Sequence, residues 1–322
     1  MIESLSARRG LLVLLLAVPV AVAADSDALL ARMQHAARNL DYDGIFVYQR
    51  GDQLDSLRVV HKAGAGGVRE RLISLNGAPR EIIRNDREVH CYLPDEDAVL
   101  IEHRRADQRN FPALLPESLA ALEQNYRIRI GKEGRVAGRK TRAVVIKPRD
   151  ELRYGYQLWA DKATGLLLKA GLVDEHGALI EQYMFTQITI GHPVSEDALK
   201  PQTPAGEFIR QPPQAADAGN TPQGWRAGEL PAGFALTASM RRPPQGSRPA
   251  MEHLVYSDGL AVVSVFIEPL AEHEQGLPLD GVTRMGAVHV FGRSTDGYQV
   301  TAMGEVPAAT VSMIGNSVRL QP

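Results

Sequence analysis

The feature that most constrains the fold is a series of short segments in which apolar and polar residues alternate, separated by turn residues. Alternation with a period of two places every second side chain on one face of a β-strand. Asn76-Gly77 suits a hairpin because both residues tolerate positive φ, and Asn85-Asp86 and Pro94-Asp95 mark further reversals. Strands do not alternate with helices, so an antiparallel meander is predicted and a doubly wound nucleotide-binding fold is disfavoured.

The alternating segments fall into two groups. Before Gly191 the eleven predicted strands are 45–49, 57–61, 68–75, 81–84, 89–93, 99–103, 127–130, 143–147, 154–159, 166–173 and 178–190. After residue 224 the predicted strands are 252–256, 260–267, 287–291 and 299–305. Apolar residues at helical spacing predict helices near 25–39, near 116–123 and after Pro307.

The residues between the two groups are rich in proline, alanine and glutamine and have few large apolar side chains, which predicts a linker. A chain of 322 residues corresponds to about two domains at roughly 100 to 200 residues each. The predicted boundaries are 1–23 for a signal peptide, 24–191 for the first domain, 192–223 for the linker and 224–322 for the second domain. The predicted fold class is α+β, mostly antiparallel β.

The first residues have the pattern of an export signal. Arg8 and Arg9 precede an apolar run at 10–22, which is too short to span a bilayer as a helix, and Ala21-Val22-Ala23 fits a cleavage site. The prediction is an exported protein cleaved near Ala23. The alternative is an uncleaved N-terminal anchor.

Signatures of catalysis and of metal binding are absent from the sequence. It contains no G-x-S-x-G, H-E-x-x-H or C-x-x-C motif, and the segment Gly134–Thr141 lacks the spacing of a phosphate-binding loop. The single cysteine, Cys91, is predicted to be a small buried hydrophobic residue. With a net charge of −2 the chain has no general affinity for nucleic acid. We therefore expect no enzyme activity, cofactor, metal or nucleic-acid partner.

Two features suggest ligand binding. From Arg127 to Arg153 there are ten Lys or Arg residues against three Asp or Glu, which indicates either a solvated sheet face or an anion site. The candidate anion or head-group residues are Arg127, Arg129, Arg139, Lys140 and Arg142. The second feature is Phe111, Leu114 and Leu115 among prolines, which predicts either core residues or the lid of an apolar cavity.

Several longer motifs carry a resemblance to a known family. The segments LWADKATGLLLK at 158–169, EQYMFT at 181–186 and YDGIFVY at 42–48 are similar to the N-terminal domain of the MucB/RseB family of periplasmic envelope-stress regulators. In the second half, LPAGF at 230–234, HLVYSDGLAVVSVF at 253–266 and GEVP at 304–307 occur in the order found in that family. The resemblance covers nearly the whole chain after the predicted signal peptide.

The resemblance implies a fold and a function. The first domain would be an open antiparallel half-barrel similar to the lipoprotein carriers LolA and LolB, with helices over its concave apolar face, followed by a smaller, mainly antiparallel domain. The protein would be a periplasmic negative regulator that binds the periplasmic part of a membrane-anchored anti-sigma factor of the MucA/RseA type. Binding would protect the anti-sigma factor from site-one proteolysis, and a lipid signal, lipopolysaccharide or a mislocalised lipoprotein, would release it.

Candidate binding residues follow from combining this resemblance with the sequence. Acyl chains are expected to enter near Phe111, Leu114 and Leu115, with Phe46, Tyr48 and Tyr92 as cavity walls. The anti-sigma factor is expected to contact the second domain, and the candidate contacts are Trp225, Arg241 and Arg242, although Trp225 also fits a core position. The alternative function is a periplasmic lipid or lipoprotein carrier, and a homo-oligomer remains open.

Overall fold

The computed structural model describes residues 20–64, 67–103, 120–202, 209–211, 224–242, 250–270 and 279–321. Within these residues the backbone forms a large sheet, a smaller sheet, a two-stranded ribbon and three helices. This architecture confirms the predicted fold class, α+β and mostly antiparallel. Phe111, Leu114 and Leu115, the predicted leader up to residue 19 and most of the second half of the predicted linker lie outside the described residues.

The helices are α1 (Val20–Asn39), α2 (Ala120–Asn125) and α3 (Ala308–Ser317). The strands of the first half are β1 (Tyr42–Arg50), β2 (Gln53–Lys62), β3 (Arg69–Ser74), β4 (Glu81–Arg84), β5 (Glu88–Leu93), β6 (Ala98–His103), β7 (Tyr126–Val136), β8 (Arg139–Pro148), β9 (Gly155–Asp161), β10 (Leu167–Val173) and β11 (Leu179–Ile190). The remaining strands are β12 (Ile209–Gln211), β13 (Trp225–Ala227), β14 (Ala235–Arg242), β15 (Met251–Ser257), β16 (Val262–Pro269), β17 (Gly281–Met285), β18 (Val288–Thr295), β19 (Tyr298–Gly304) and β20 (Val318–Leu320).

The large sheet is an open antiparallel meander in which β1 and β11 pair in the middle. Its strand order is β12-β6-β5-β4-β3-β2-β1-β11-β10-β9-β8-β7, and its two end strands, β12 and β7, do not pair with each other. Neighbouring strands are antiparallel except β12, which runs parallel to β6. The eleven strands predicted before Gly191 are all present, because alternation and turn residues determine such a meander locally.

One face of the large sheet carries the main core, and we call it the inner face. It is the face of Tyr42 and Phe46, and α1 packs on it with Leu30, Met33 and Ala36. Helix α1 ends at Asn39, as predicted, but begins at Val20 rather than at Asp25, because the preceding Val-Ala residues continue the helical backbone.

The smaller sheet has the order β14-β15-β16-β19-β18-β17, and α3 packs against it. Its core includes Val263, Val265 and Ile314, all fully buried. Gly315 allows the close approach of α3, since a Cβ atom there would lie 2.4 Å from the Phe291 ring. The predicted strands and helix of this half are present, whereas β14 and β17 lie in segments that sequence patterns left without strands.

The beginning of the predicted linker is attached to the large sheet. Arg71 donates to the backbone carbonyl of Ala198 at 3.1 Å, the Gln202 N–H donates to the Glu81 carboxylate at 3.1 Å, and Leu199 is buried. Strand β12 then pairs with β6. A composition poor in large apolar residues therefore does not prevent this segment from packing on a sheet that is already formed.

Candidate functional site

Two of the predicted cavity-wall residues lie together on the inner face. Phe46 is 5 % exposed and makes edge contacts with the rings of Tyr183 and Phe185, at centroid distances of 6.4 and 5.7 Å. Tyr48, two residues further along β1, is half-buried on the same face and its hydroxyl donates to Glu181 at 2.6 Å. Phe46 is thus a core residue, and Tyr48 lies where the core reaches solvent.

Tyr92 points the other way. Ladder pairs without irregularities connect Leu57 to Ser74, Leu72 to Ile82 and Ile82 to Cys91, so Cys91 shares the inner face with Phe46. Tyr92, the next residue, lies on the opposite face. The structure therefore corrects the prediction that Tyr92 lines a cavity with Phe46, and Cys91 is half-buried rather than fully buried.

The inner face has two halves that differ in cover. In the closed half, on β8 to β10, α1 and the second half of the chain bury most of the apolar side chains: Val144, Ile146, Leu158 and Ala170 are at most 4 % exposed, and Tyr156 is half-buried. In the open half, on β2 to β6, the described apolar side chains at Leu57, Leu72, Ile82, Cys91 and Leu100 are only half-buried, whereas Val59, next to β1, is fully buried. The open half is the apolar surface on which a ligand could bind.

A buried polar cluster borders the open half. His61, 1 % exposed, stacks on Tyr42 at a centroid distance of 4.5 Å, and its Nδ1 lies 2.9 Å from the Leu40 carbonyl. Its Nε2 lies 3.6 Å from Glu70, which forms an ion pair with Arg84. Burial lowers the pKa of His61, against the opposing charge of Glu70, and raises the pKa of Tyr42. The imidazole is therefore neutral near pH 7, with Nδ1–H donating to Leu40.

Sequence reasoning did not identify this cluster. The one available signal was that Glu70 and Arg84 are charged residues at positions where the alternation places side chains on the inner face. Burying a carboxylate without a partner is costly, and the guanidinium of Arg84 compensates for that cost.

The five candidate anion residues do not form one site. Arg139 donates to Asp161 at 3.0 Å, and Arg142 donates to Glu133 at 3.4 Å, so both already have acidic partners. Lys140 is exposed near the tip of the β7–β8 hairpin. Arg127 and Arg129 are exposed on the outer face of β7, and no acidic partner occurs for them within the described part of the chain. Among the described residues, the basic stretch therefore combines cations that have acidic partners with cations that have none.

The candidate partner contacts also differ from one another. Trp225 is 2 % exposed and packs on Tyr298 at a centroid distance of 5.1 Å, because β13 pairs with β20 beside α3. Its placement is that of a core residue, which corrects its assignment as a surface contact. Arg241 is half-buried on β14 across from Glu252, and the side chain of Arg242 lies outside the described residues.

The two halves of the chain are joined by a buried ion pair that the sequence did not reveal. Arg153 and Asp258 both have fully buried side chains and form a salt bridge, and the Tyr126 hydroxyl donates to the same carboxylate at 2.8 Å. Arg153 also donates to the Ala232 carbonyl at 2.8 Å and lies 5.3 Å from the Phe234 ring. We call this group the Arg153–Asp258 latch.

A second contact between the halves lies beside Tyr48. Glu305, after β19, lies near Glu181 and Arg50 of the large sheet, and burial together with the Glu181 charge raises the pKa of Glu305 to about 7, against the effect of Arg50. A further contact between the halves joins Tyr154 to His289, whose Nδ1 lies 3.4 Å from the Tyr154 hydroxyl. Burial raises the pKa of Tyr154. The closed half of the inner face is thus also the half to which the second sheet is attached.

No helix in the described part of the chain combines the length and the apolar character needed to cross a membrane. Family models agree with the division into two halves: the MucB/RseB N-terminal domain matches residues 25–203, and the MucB/RseB C-terminal domain matches residues 219–319. This chain belongs to the MucB/RseB family. The resemblance inferred from the sequence motifs is therefore confirmed.

Individual relatives agree with this membership. The sigma factor AlgU regulatory protein MucB of Pseudomonas aeruginosa is 38 % identical over 316 residues, covering 95 % of this chain and 94 % of that protein. The sigma-E factor regulatory protein RseB of Haemophilus influenzae is 27 % identical over 296 residues, covering 91 % of this chain and 90 % of that protein. Both relatives are sigma-factor regulatory proteins.

Solved structures match over most of the chain. The MucA/MucB complex of Pseudomonas aeruginosa matches with a TM-score of 0.72 and 34 % identity, covering 92 % of this chain and 99 % of that chain. A crystal structure of MucB in complex with MucA(peri) matches with a TM-score of 0.71 and 32 % identity, covering 92 % and 100 %. A crystal structure of MucB matches with a TM-score of 0.63 and 33 % identity, covering 92 % and 98 %.

Proposed function

We propose that this chain is a periplasmic regulator that binds the periplasmic part of a membrane-anchored anti-sigma factor and so controls an envelope-stress sigma factor. The observation that carries the proposal is the similarity, over 92 % of the chain, to MucB structures in complex with MucA. Periplasmic location also agrees with the export pattern at residues 1–23. Regulation by binding requires no catalytic group.

The test uses the full chain without its leader. The purified protein is mixed with the periplasmic fragment of the host's anti-sigma factor, and cleavage of that fragment by the site-one protease is followed over time. The expected result is a stable complex and slower cleavage. Absence of a complex would overturn the proposal, whereas a complex without slower cleavage would restrict it to binding.

The release signal is proposed to be a lipid that binds the open half of the inner face. The support is chemical: Leu57, Leu72 and Ile82 present half-buried apolar surface on one side of a sheet, bordered by the polar group of His61, Glu70 and Arg84. A ligand that binds at a site separate from the partner's can displace the partner only if it favours a conformation that the partner does not bind. Lys140, proposed as a head-group contact, lies on β8, five strands from β2 in the sheet, so that contact is a proposal separate from the open half.

Leu72 and Ile73 give a matched pair for testing lipid release. The two residues are neighbours on β3, both half-buried, but Leu72 lies on the inner face and Ile73 on the outer face. Leu72→Asp should abolish displacement of the anti-sigma fragment by lipopolysaccharide, and Ile73→Asp should leave it unchanged. Equal effects of both substitutions would contradict binding at the inner face.

The alternative function is a lipid or lipoprotein carrier, which the same apolar surface favours. A carrier must deliver its ligand to an acceptor membrane, whereas a regulator needs only to bind it. Transfer of labelled lipid from the protein to acceptor vesicles, without an effect on anti-sigma cleavage, would favour the carrier.

Within the second half of the chain, Arg241 and Arg242 remain proposed contacts to the anti-sigma factor. The double charge reversal Arg241→Glu with Arg242→Glu should weaken the complex at least tenfold if both cations face acidic groups of the partner. Arg87→Glu with Arg80→Glu, at exposed turn positions of the large sheet, serves as the control. We also propose the boundaries 24–191, 192–223 and 224–322 for the two domains and the linker.

A further inference from the structure

The outer face of the large sheet carries a group of cations that the proposed function does not use. Arg127 lies directly opposite Lys147, and Arg129 follows Arg127 on the same face of β7. Lys169 lies opposite Trp159, and its Nζ is 4.7 Å from the centre of the indole ring. We call Arg127, Arg129, Lys147 and Lys169 the outer-face basic strip.

The four cations share one face, although they lie on three strands. Cross-strand partners lie on the same face of a sheet: Arg129 is opposite Val145 on β8, Val145 is opposite Gln157 on β9, and Gln157 is opposite Gly171 on β10. Lys169 is two residues from Gly171 and therefore lies on that face too. Strands in a sheet are about 4.8 Å apart, so the strip crosses about 15 Å of surface from β7 to β10.

Within the described part of the chain, no acidic side chain pairs with the cations of this strip. Arg127, Arg129 and Lys147 are exposed, and within the described residues none of them forms an ion pair, whereas the neighbouring Arg139, Arg142 and Lys162 all do. Like charges directly opposite each other, such as Arg127 and Lys147, destabilise an isolated sheet. An external anionic surface would compensate for this repulsion.

The residues among the cations indicate the kind of surface. Trp159, Val145 and Met184 are half-buried on the same outer face, so each presents part of an apolar side chain between the cations. Lysine, arginine and tryptophan on one surface match the interface of an anionic bilayer, where ammonium and guanidinium groups meet phosphates and indole rings lie at head-group depth.

We propose that the outer-face basic strip is a docking surface for an anionic phospholipid bilayer. Docking by this face places the inner face, with its open half, on the side of the sheet away from the membrane. The contact is electrostatic and reversible, because no acyl chain or spanning helix is needed, and it does not depend on the anti-sigma factor. A regulator of a membrane-anchored partner would thereby be concentrated next to the membrane.

The test is co-sedimentation of the full chain, without its leader, with vesicles of phosphatidylglycerol and phosphatidylcholine. Binding is expected to rise with the phosphatidylglycerol fraction and to fall between 50 and 300 mM salt. The triple substitution Arg127→Gln, Arg129→Gln and Lys147→Gln should weaken binding about a hundredfold, at roughly fivefold for each cation near the surface. Arg80→Gln, Arg87→Gln and Arg284→Gln, an equal change of charge at exposed positions elsewhere, should leave binding within about twofold.

Three outcomes would overturn the proposal. Equal binding of both triple variants would show that net charge, not the strip, determines affinity, and equal binding to neutral vesicles would exclude an electrostatic surface. Failure of the wild-type chain to bind vesicles, together with a loss of anti-sigma fragment binding in the strip variant alone, would assign the strip to an acidic protein partner. Matching thermal transitions of wild type and variants establish that each result concerns a folded protein.

Discussion

The closed and open halves of the inner face are built from the same alternating sequence pattern but differ in burial. Val144, Leu158 and Ala170 are at most 4 % exposed, whereas Leu72 and Ile82 are half-buried. The difference comes from what covers them: α1 packs across β7 and β10, and the Arg153–Asp258 latch attaches the second sheet beside the same strands. Alternation thus determines which residues face inward, and the covering elements determine which of them remain available to a ligand.

The most direct test of this difference is to disrupt the Arg153–Asp258 latch. Asp258→Asn keeps the turn contacts that Oδ1 accepts from Leu260 and Ala261 but removes the charge that faces Arg153. Removing one partner of a buried pair costs about 3–5 kcal/mol, but Arg153 keeps its ion pair with Asp150 at 2.8 Å, so we expect a loss at the lower end of that range, about 3 kcal/mol, in the free energy of unfolding. Asp43→Asn, in an ion pair that is about 40 % exposed, is the control and should cost less than about 1 kcal/mol.

The two tryptophans make the effect of the latch measurable in each half. Trp159 lies in the large sheet and Trp225 in the second core, so the variants Trp225→Phe and Trp159→Phe each report one half in urea unfolding by fluorescence. The two transitions should coincide with the latch intact and separate in Asp258→Asn. Coincident, unshifted transitions in that variant would show that the latch does not couple the halves.

A second prediction compares the halves by packing. Leu158→Ala removes a side chain that is 1 % exposed and should cost about 2–5 kcal/mol, since it leaves a cavity in a covered core. Leu72→Ala removes a half-buried side chain and should cost about 1 kcal/mol, because solvent or a ligand already replaces part of its contacts. Chemical denaturation of both variants measures the difference, and equal costs would mean that the open half is as tightly packed as the closed half.

The positions of the strands were predictable from the sequence, whereas the pairing of β1 with β11 and the contacts between elements were not. Alternation and turn residues locate β1 to β11 because both act over a few residues. Whether Tyr92 or Cys91 faces inward depends on a one-residue difference in register, which only pairing with β4 fixes. The sequence analysis counted Arg153 in the basic stretch 127–153, because no local pattern shows that it forms a salt bridge with Asp258, 105 residues away.

The candidate site was predictable to a smaller extent than the fold. Phe46 and Tyr48 follow from alternation on β1, and their shared face agrees with the prediction. Trp225 was predicted as either a partner contact or a core residue, and β13 pairs with β20 from the end of the chain and buries it, so the core alternative holds. Residue type and spacing therefore identify candidate groups, while burial depends on partners distant in sequence.

The smallest effect concerns pH and His61, which lies at the border of the open half. Burial lowers the pKa of His61, so the folded state binds fewer protons than the unfolded chain below the ordinary histidine pKa of about 6.5. Stability should therefore decrease as the pH falls through that value, by at most about 1.4 kcal/mol per pH unit, until the folded pKa is reached. The groups that face His61 are Tyr42, Glu70, Arg84 and Asp41.

His61→Gln isolates this contribution, since glutamine can still donate to the Leu40 carbonyl but does not titrate. The loss of unfolding free energy between pH 7.5 and 5.5 should be smaller in the variant than in the wild type. Glu305 acts in the opposite direction. Because folding raises the pKa of its carboxyl from 4.5 to about 7, the protein loses stability as the pH rises through that range. The contribution of His61 is therefore the difference in pH dependence between wild type and variant. Identical pH slopes would mean that the cluster around His61 accepts a proton without cost and is more hydrated than its burial indicates.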